Sequence, residues 1–223
     1  MKPSAESLRS VLAAVEHLGD DGLPAYPPRR PWPCPQPGIA DAPLWVFGYG
    51  SLIWHPGFPF DEARIARVHG HHRALCIWSW EYRGTTEVPG LVLGLDRGGS
   101  CTGVAFRVGE AEREATVAYL LRRELTTPIY RPVRKPALLD DGRRVRVLTF
   151  VVERGSEQYA GRPGDARTVQ VVSSARGRRG PNAEYVRSTV QHLDELGIPC
   201  RRLRRIARAL ESCDVPQSCA RAL

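Results

Sequence analysis

The hydrophobic pattern of the chain is most distinctive at residues 44–54, where an apolar run meets two glycines around a tyrosine. Residues 44–47 have the sequence Leu-Trp-Val-Phe, and this β-branched and aromatic composition is typical of an interior strand. Gly48 and Gly50 then predict a tight turn, and apolar residues resume at Leu52. We therefore expect a buried strand that ends in a glycine turn.

The rest of the pattern predicts a mixture of helices and strands. Apolar residues recur at helical spacing in 4–18, 110–125, 182–196 with Asn182 as N-cap, and 201–212. Runs rich in β-branched and aromatic residues predict strands at 70–80, 91–95, 101–107, 133–138 and 145–153. The connecting segments are interpreted as a mixed-charge segment at 61–68, a loop at 96–100, a short apolar segment at 169–174 and a loop rich in glycine and arginine at 175–181.

Proline density separates an arm from a globular part. Residues 20–43 contain eight prolines, which is typical of an extended linker or a surface arm, and Trp32 is expected to hold this arm in place. We expect residues 1–43 to form an N-terminal helix and the proline-rich arm. Residues 44–223 are expected to form one domain that ends in a basic helix.

Composition is that of a soluble globular protein. An apolar share of 42% in 223 residues allows one substantial core. No segment is long and apolar enough to cross a bilayer and residues 1–7 lack the apolar core of a secretion signal, so we expect a cytosolic protein. The six cysteines form neither a Cys-x-x-Cys pair nor a zinc pattern, and we interpret them as reduced, mostly buried thiols.

The formal charge of +8 comes mainly from arginine and favours either nucleic acid or small anionic substrates as partners. A nucleic-acid-binding protein would use the arginine loop at 176–179 and the helix from Arg201. In that helix, however, Leu203, Ile206 and Leu210 form an apolar stripe, which favours a packed helix with a solvated basic face. We therefore expect no nucleic acid partner.

Consecutive N–H groups in the glycine turn are suited to bind an oxygen that carries negative charge, and Ser51 adds a hydroxyl. The turn lacks the lysine and serine of a P-loop, and Ile53 stands where a dinucleotide-binding fingerprint requires its third glycine. On the turn alone, a purely structural role and a binding role both remain open, because glycine is the usual turn residue.

Two charged residues are candidates for a site. Glu124 lies near the end of the helix predicted at 110–125, where the helix dipole disfavours a negative charge, and this placement indicates a function. A solvated glutamate, offset by Arg122 and Arg123, fits the same pattern. Arg83 lies in a turn and is suited either to bidentate contact with a carboxylate or to a surface role.

Three histidines, His69, His71 and His72, lie close together in sequence. Neighbouring side chains on a strand point to opposite faces, so these histidines need ligands from other segments to hold a metal. We interpret them as part of a solvated loop and expect no metal.

Six motifs follow one another in order at 47–58 (Phe-Gly-Tyr-Gly-Ser-Leu-Ile-Trp-His-Pro-Gly-Phe), 82–85, 89–95, 103–107, 119–124 (Tyr-Leu-Leu-Arg-Arg-Glu) and 180–185 (Gly-Pro-Asn-Ala-Glu-Tyr). Together they resemble the ChaC family, the glutathione-specific γ-glutamylcyclotransferases, over roughly 44–196. The chain departs from the family at Glu81 and Tyr82, where many members have Asp-His, so a substrate contact from that loop stays open. The residues of 1–43 have no counterpart in the compact members.

The resemblance implies an α/β (α+β) fold of the γ-glutamylcyclotransferase type, a mixed barrel-like sheet with helices around it. It implies cleavage of glutathione to 5-oxoproline and cysteinylglycine without a metal or an organic cofactor. Glu124 matches the family's catalytic glutamate, Tyr185 matches a tyrosine near the pocket, and Arg83 is a candidate for a substrate carboxylate. The substrate-binding turn is expected to consist of Gly48, Tyr49, Gly50, Ser51, Leu52 and Ile53. Other γ-glutamyl amines or dipeptides are an alternative substrate class, because a fold does not determine specificity.

Overall fold

The computed structural model describes residues 43–214, so the predicted N-terminal helix, Trp32 and nearly all of the proline-rich arm lie outside the described residues. The strands are β1 (Leu44–Gly48), β2 (Glu62–Ser79), β3 (Gly90–Val108), β4 (Tyr130–Leu139), β5 (Arg144–Val152), β6 (Arg176–Gly177) and β7 (Gly180–Pro181). The helices are α1 (Arg113–Glu124), α2 (Asp165–Ser174), α3 (Asn182–Glu195) and α4 (Arg201–Asp214). Two 3₁₀ turns cover Ser51–Ile53 and Glu110–Glu112.

Five strands form a closed barrel in the order β1-β3-β2-β4-β5. Strand β1 pairs antiparallel with β3, with Leu44 opposite Val108, and parallel with β5, with Trp45 opposite Val147. All five residues of β1 are buried and both of its edges are paired, which explains its uninterrupted apolar sequence. The mixed barrel-like sheet that the resemblance implied is confirmed.

Two strands are longer than the sequence pattern predicted. Strand β2 runs through the mixed-charge segment and on to Ser79. Strand β3 joins the two strands predicted at 91–95 and 101–107, so the loop predicted between them is wrong. Gly98 and Gly99 have φ angles of 103° and 67°, which redirect the chain without ending the strand.

The solvated-loop interpretation of the three histidines is also wrong, because His69, His71 and His72 lie within β2. His69 is exposed, whereas His71 and His72 are partly buried. The Nδ1 atom of His72 lies 3.0 Å from the carbonyl oxygen of Gly98, so this histidine contacts the redirected part of β3.

The described residues divide into two compact units, the first formed by 43–74 with 94–159 and the second by 75–93 with 160–214. The first unit has an apolar core inside the barrel. Its buried members come from all five strands and are Trp45, Phe47, Tyr49, Ala66, Val68, Leu95, Cys101, Ala105, Ala137, Leu139, Val147 and Val151.

The second unit contains α2, α3 and α4, which pack on one another. The segment at 169–174 was predicted only as a short apolar segment, and it is the second half of α2. Thr168, Val171 and Val172 are buried at helical spacing, but their β-branched side chains lower helix propensity and obscured the helix in the sequence. The arginine loop predicted at 175–181 contains the short β6–β7 hairpin. Helices α3 and α4 confirm the two helices predicted near the C-terminus.

The predicted N-cap role of Asn182 is wrong. Pro181 is the N-cap of α3, and the buried side chain of Asn182 is bonded to the backbone of β3 instead. Its Oδ1 accepts the N–H of Leu91 at 2.7 Å, and its Nδ2 donates to the carbonyl of Leu91 at 2.8 Å. The amide thus pairs with both polar groups of one strand residue, as an adjacent strand would.

Among the described residues, Cys76 and Cys101 are buried, Cys200 is half-buried, and these three form no disulfide with one another. Within residues 43–214, no helix combines the length and apolar character needed to span a membrane.

Candidate active site at the glycine turn

The first unit contains the glycine turn, which we define as Gly48 to Ile53. A 3₁₀ turn begins after Gly50, and the N–H of Ile53 donates to the carbonyl of Gly50 at 2.9 Å. The N–H groups of Ser51 and Leu52 precede this first bond and therefore have no partner within the turn. They are the backbone donors that this segment can offer to a ligand.

Close packing explains why glycines are needed at this turn. A Cβ atom at Gly48 would lie 3.1 Å from Cβ of Leu52 and 3.2 Å from the amide nitrogen of Ile53. A Cβ atom at Gly103, on β3 beside the turn, would lie 2.2 Å from the carbonyl oxygen of Gly48. A side chain at either position would displace the backbone that forms the turn.

Side chains from two other strands bind the carbonyl groups at the start of the turn. Thr149 of β5 donates its hydroxyl to the carbonyl of Phe47 at 3.1 Å. Arg73 of β2 donates from Nε to the carbonyl of Tyr49 and from Nη2 to the carbonyl of Thr102 at 2.8 Å. The carbonyls are thereby occupied, which leaves the N–H side of the turn as its available polar face.

The side chains of the turn divide into buried and accessible ones. Those of Tyr49, Leu52 and Ile53 are buried, and that of Tyr49 lies in the barrel core. Ser51 is partly exposed. Of the turn's side chains, the hydroxyl of Ser51 is therefore the polar group best placed to reach a ligand.

Arg123, near the end of α1, connects this turn to the helix. Its Nη2 donates to Oγ of Ser51 at 3.1 Å, and its Nη1 donates to the carbonyl of His55 at 2.6 Å. Nη1 also donates to the hydroxyl of Tyr119 at 3.0 Å. Its Nε lies 3.2 Å from the carboxylate of Glu124, so one guanidinium contacts both the turn and the acid.

Glu124 is the last residue of α1, and the helix predicted at 110–125 is confirmed as a 3₁₀ turn followed by α1. The side chain of Glu124 is 16% exposed. Burial raises the pKa of its carboxyl above the ordinary value of 4.5, while the charge and the hydrogen bond of Arg123 lower it. Burial is the larger effect, so this carboxyl keeps its proton to a higher pH than an ordinary glutamate does.

The second unit brings together the other two candidate residues, Arg83 and Tyr185. The guanidinium of Arg83 lies 5.5 Å from the ring centre of Tyr185 and donates to the carbonyl of Pro181 at 3.2 Å. The hydroxyl of Tyr185 accepts the N–H of Leu93 at 3.2 Å. Burial lowers the pKa of Arg83, and Glu184, at 4.0 Å, opposes this shift. Since an arginine remains charged even so, Arg83 is a partly buried cation.

Sequence reasoning missed several residues that shape the site. From the sequence, Arg123 was considered only as a charge that offsets the helix dipole. Arg73, Tyr119 and Thr149 were not singled out. The alternating pattern of a strand predicts which face a side chain is on, but it does not predict that Arg73 or Thr149 makes a hydrogen bond to a distant carbonyl. Arg123 was detectable only through its position directly before Glu124 in the Arg-Glu motif. Among the described residues, no group of three His, Cys, Asp or Glu side chains is arranged to hold a metal ion.

Known proteins resemble this chain in both sequence and fold. Residues 44–211 match the family described as ChaC-like protein. A glutathione-specific gamma-glutamylcyclotransferase of Escherichia coli is 37% identical over 158 residues, which cover 71% of this chain and 68% of the relative. A protein of the same name from Schizosaccharomyces pombe is 32% identical over 64% of this chain and 79% of its own length.

A crystal structure of a yeast gamma-glutamyl cyclotransferase specific to glutathione has the same fold. It superposes with a TM-score of 0.70 at 20% identity and covers 77% of this chain and 97% of its own. The matched residues 44–211 include the glycine turn, Arg83, Glu124 and Tyr185. The chain therefore belongs to the ChaC-like family.

Proposed function

We propose that this protein cleaves glutathione to 5-oxoproline and cysteinylglycine, with Glu124 as the group that moves the proton. The observation that carries the proposal is the partly buried carboxyl of Glu124, which Arg123 connects to the glycine turn. The names of the relatives from E. coli and S. pombe support glutathione as the substrate.

The reaction needs no water and no covalent bond to the protein. The α-amine of the γ-glutamyl unit attacks its own γ-carbonyl carbon, so a new carbon–nitrogen bond closes a five-membered ring. The amide bond to cysteine then breaks and its nitrogen leaves with one added proton. Because both reacting groups belong to one substrate, the main task of the protein is to fold that substrate into the ring-closing geometry.

Glu124 acts first as a base and then as an acid. As a carboxylate it takes a proton from the attacking amine, and as a carboxylic acid it returns that proton to the leaving nitrogen. A raised pKa suits both steps, since a general acid–base group works best when its pKa is near the working pH. Burial raises that pKa, and the charge and hydrogen bond of Arg123 oppose the rise.

The glycine turn stabilises the negative charge that develops on the γ-carbonyl oxygen. The N–H groups of Ser51 and Leu52 and the hydroxyl of Ser51 are its donors. Ser51 accepts from Arg123, so its own proton is directed elsewhere and serves the substrate. Loss of one donor of this kind typically costs about 2.7–4 kcal/mol of transition-state stabilisation.

Arg83 and Tyr185 are proposed as further substrate-binding residues. A partly buried guanidinium suits a carboxylate, of which glutathione has two. The bond from Arg83 to the carbonyl of Pro181 and the bond that Tyr185 accepts from the N–H of Leu93 support fixed positions for both side chains. Fixed positions lower the entropic cost of binding.

A cytosolic location and the absence of a nucleic acid partner are part of the same proposal. Cys76 and Cys101 form no disulfide with any described residue, which is consistent with a reducing compartment. In the two segments that would contact nucleic acid, Arg178 is paired with Glu81 and Arg204 with Asp194. Such pairing leaves less charge for phosphate contacts.

The direct test is to incubate the purified protein with glutathione and identify the products by mass spectrometry, with a panel of γ-glutamyl dipeptides alongside. We expect equal amounts of 5-oxoproline and cysteinylglycine, and faster turnover of glutathione than of the dipeptides. Preference for a dipeptide would assign the fold to the alternative substrate class. No release of 5-oxoproline from any γ-glutamyl substrate would reject the cyclotransferase proposal.

A further inference from the structure

A polar recess opens on the first unit among residues that the Glu124 chemistry does not use. It has a volume of about 150 Å³ and is lined by two valines of β5, by Glu153, and by four basic side chains: His71, Arg97, Arg131 and Arg154. These four come from β2, β3, β4 and the segment directly after β5. Four segments of the barrel thus place basic groups around one space.

The charges around the recess are only partly balanced. Arg131 lies 3.4 Å from the carboxylate of Glu153, and Arg154 lies 2.8 Å from that of Asp96. Among residues 43–214, the guanidinium of Arg97 makes no hydrogen bond or ion pair, since only its backbone groups are bonded. The recess therefore has an unbalanced positive charge.

His71 contributes a second unsatisfied group. Its Nδ1 atom is buried and makes no hydrogen bond to any described residue. Burial lowers the pKa of this imidazole, and the charges of Lys135, Arg97 and Arg131 lower it further, although Asp96 opposes them. The neutral form of the ring therefore predominates at pH 7, and His71 adds no positive charge of its own to the recess.

We propose that this recess binds a small oxyanion, a phosphate or a compact carboxylate, through Arg97 and Arg131. An oxyanion accepts hydrogen bonds from the unpaired guanidinium of Arg97 and also balances its positive charge, which a neutral or cationic ligand does not. The volume fits such a ligand, since a cavity of about 150 Å³ in another protein binds benzene, which has six non-hydrogen atoms. The proposal is independent of the proposed function, because the recess shares no residue with the glycine turn, Arg123 or Glu124.

Calorimetric titration of the full-length protein with inorganic phosphate and with malonate, against chloride at matched ionic strength, tests the site. We expect saturable one-to-one binding of at least one oxyanion and none of chloride. Arg97→Gln combined with Arg131→Gln is expected to weaken binding about tenfold or more, because hydrogen bonds to charged groups are lost. Arg201→Gln combined with Arg208→Gln removes the same charge from α4 and is expected to leave the affinity unchanged.

Two further variants keep the result interpretable. Arg97→Gln alone removes a guanidinium without partners, so it is expected to fold normally and still to weaken binding. Glu124→Gln is expected to bind the oxyanion with the wild-type affinity. Absence of saturable binding, equal weakening in the α4 control, or loss of binding in Glu124→Gln would each overturn the proposed recess site.

Discussion

The guanidinium of Arg123 donates to the hydroxyl of Ser51 at 3.1 Å, and this bond joins the end of α1 to the glycine turn. The same group contacts Glu124 through Nε, so the proposed base and the proposed oxyanion donors are positioned by one side chain. Removing Arg123 should therefore affect both the pKa of Glu124 and the geometry of the turn.

Arg123→Gln is expected to shift the acidic limb of the kcat/KM profile for glutathione to higher pH. Arg123 lowers the pKa of Glu124, so its removal raises that pKa, and a higher pH is needed to form the carboxylate. The profile is measured from initial rates of 5-oxoproline release across the pH range. The ionisation of the substrate amine is common to all variants and does not affect their difference.

Two variants control for loss of charge and of structure. Arg122→Gln removes the neighbouring exposed arginine and should leave the limb in place. Arg123→Lys keeps a positive charge without the forked contacts, so it should shift the limb less than Arg123→Gln while still lowering kcat. Identical limbs in all variants would contradict the influence of Arg123 on Glu124.

Gly103→Ala is expected to distort the glycine turn from outside it. The added Cβ would lie 2.2 Å from the carbonyl oxygen of Gly48 and 2.8 Å from the ring of Phe47, so the backbone must move. Overpacking of this kind typically costs about 1–3 kcal/mol, and we expect reduced free energy of unfolding in urea together with reduced kcat. Gly155→Ala is the control, because nothing lies within 4 Å of its Cβ and both quantities should stay near wild type.

Glu124→Gln is expected to become more stable relative to wild type as pH rises. A folded-state pKa above 4.5 means that the folded protein holds this proton when the unfolded chain has lost it. The free energy of unfolding of the wild type therefore falls as pH rises from 4.5 to the raised pKa, and glutamine removes this fall. Urea unfolding of both proteins at about pH 4 and about pH 7.5 measures the change, and an unchanged difference would argue against a raised pKa.

Arg83→Gln is expected to raise KM for glutathione more than it lowers kcat. A carboxylate contact away from the reacting atoms contributes equally to the bound substrate and the transition state, and its loss appears in KM. Arg208→Gln, on the exposed side of α4, is the matched control and should leave KM unchanged. An equal KM in both variants would remove Arg83 from the list of substrate contacts.

Most helices and strands could be predicted from the sequence, because each is indicated by a pattern among residues that are close together in the chain. Strand β1 was recognisable from four consecutive apolar residues, and α1 from apolar residues at helical spacing. The continuous β2 and β3 were not recognisable, since Gly70, Gly98 and Gly99 have positive φ angles inside strands, where such residues usually mark an end. Strand pairing across the barrel overrode that local preference.

The site was only partly predictable for a similar reason. The glycine turn and Glu124 lie in short motifs, and the position of an acid at a helix end is visible in the sequence. The contacts of Arg123 with Ser51 and of Arg73 with Tyr49 join residues 72 and 24 positions apart, and no spacing rule predicts them. Asn182 shows the opposite error. Its residue type and position predicted a helix cap, but its side chain instead makes a hydrogen bond to the backbone of Leu91 in β3.

The most direct test of the central claim is 5-oxoproline release from glutathione by wild type and by Glu124→Gln under the same conditions. Glutamine has nearly the same shape but cannot take a proton from the amine, and general acid–base catalysis typically contributes about 10²–10⁴-fold to a rate. We predict that kcat falls by about this factor while circular dichroism shows an intact fold. Release of 5-oxoproline by Glu124→Gln at the wild-type rate would contradict the role of Glu124.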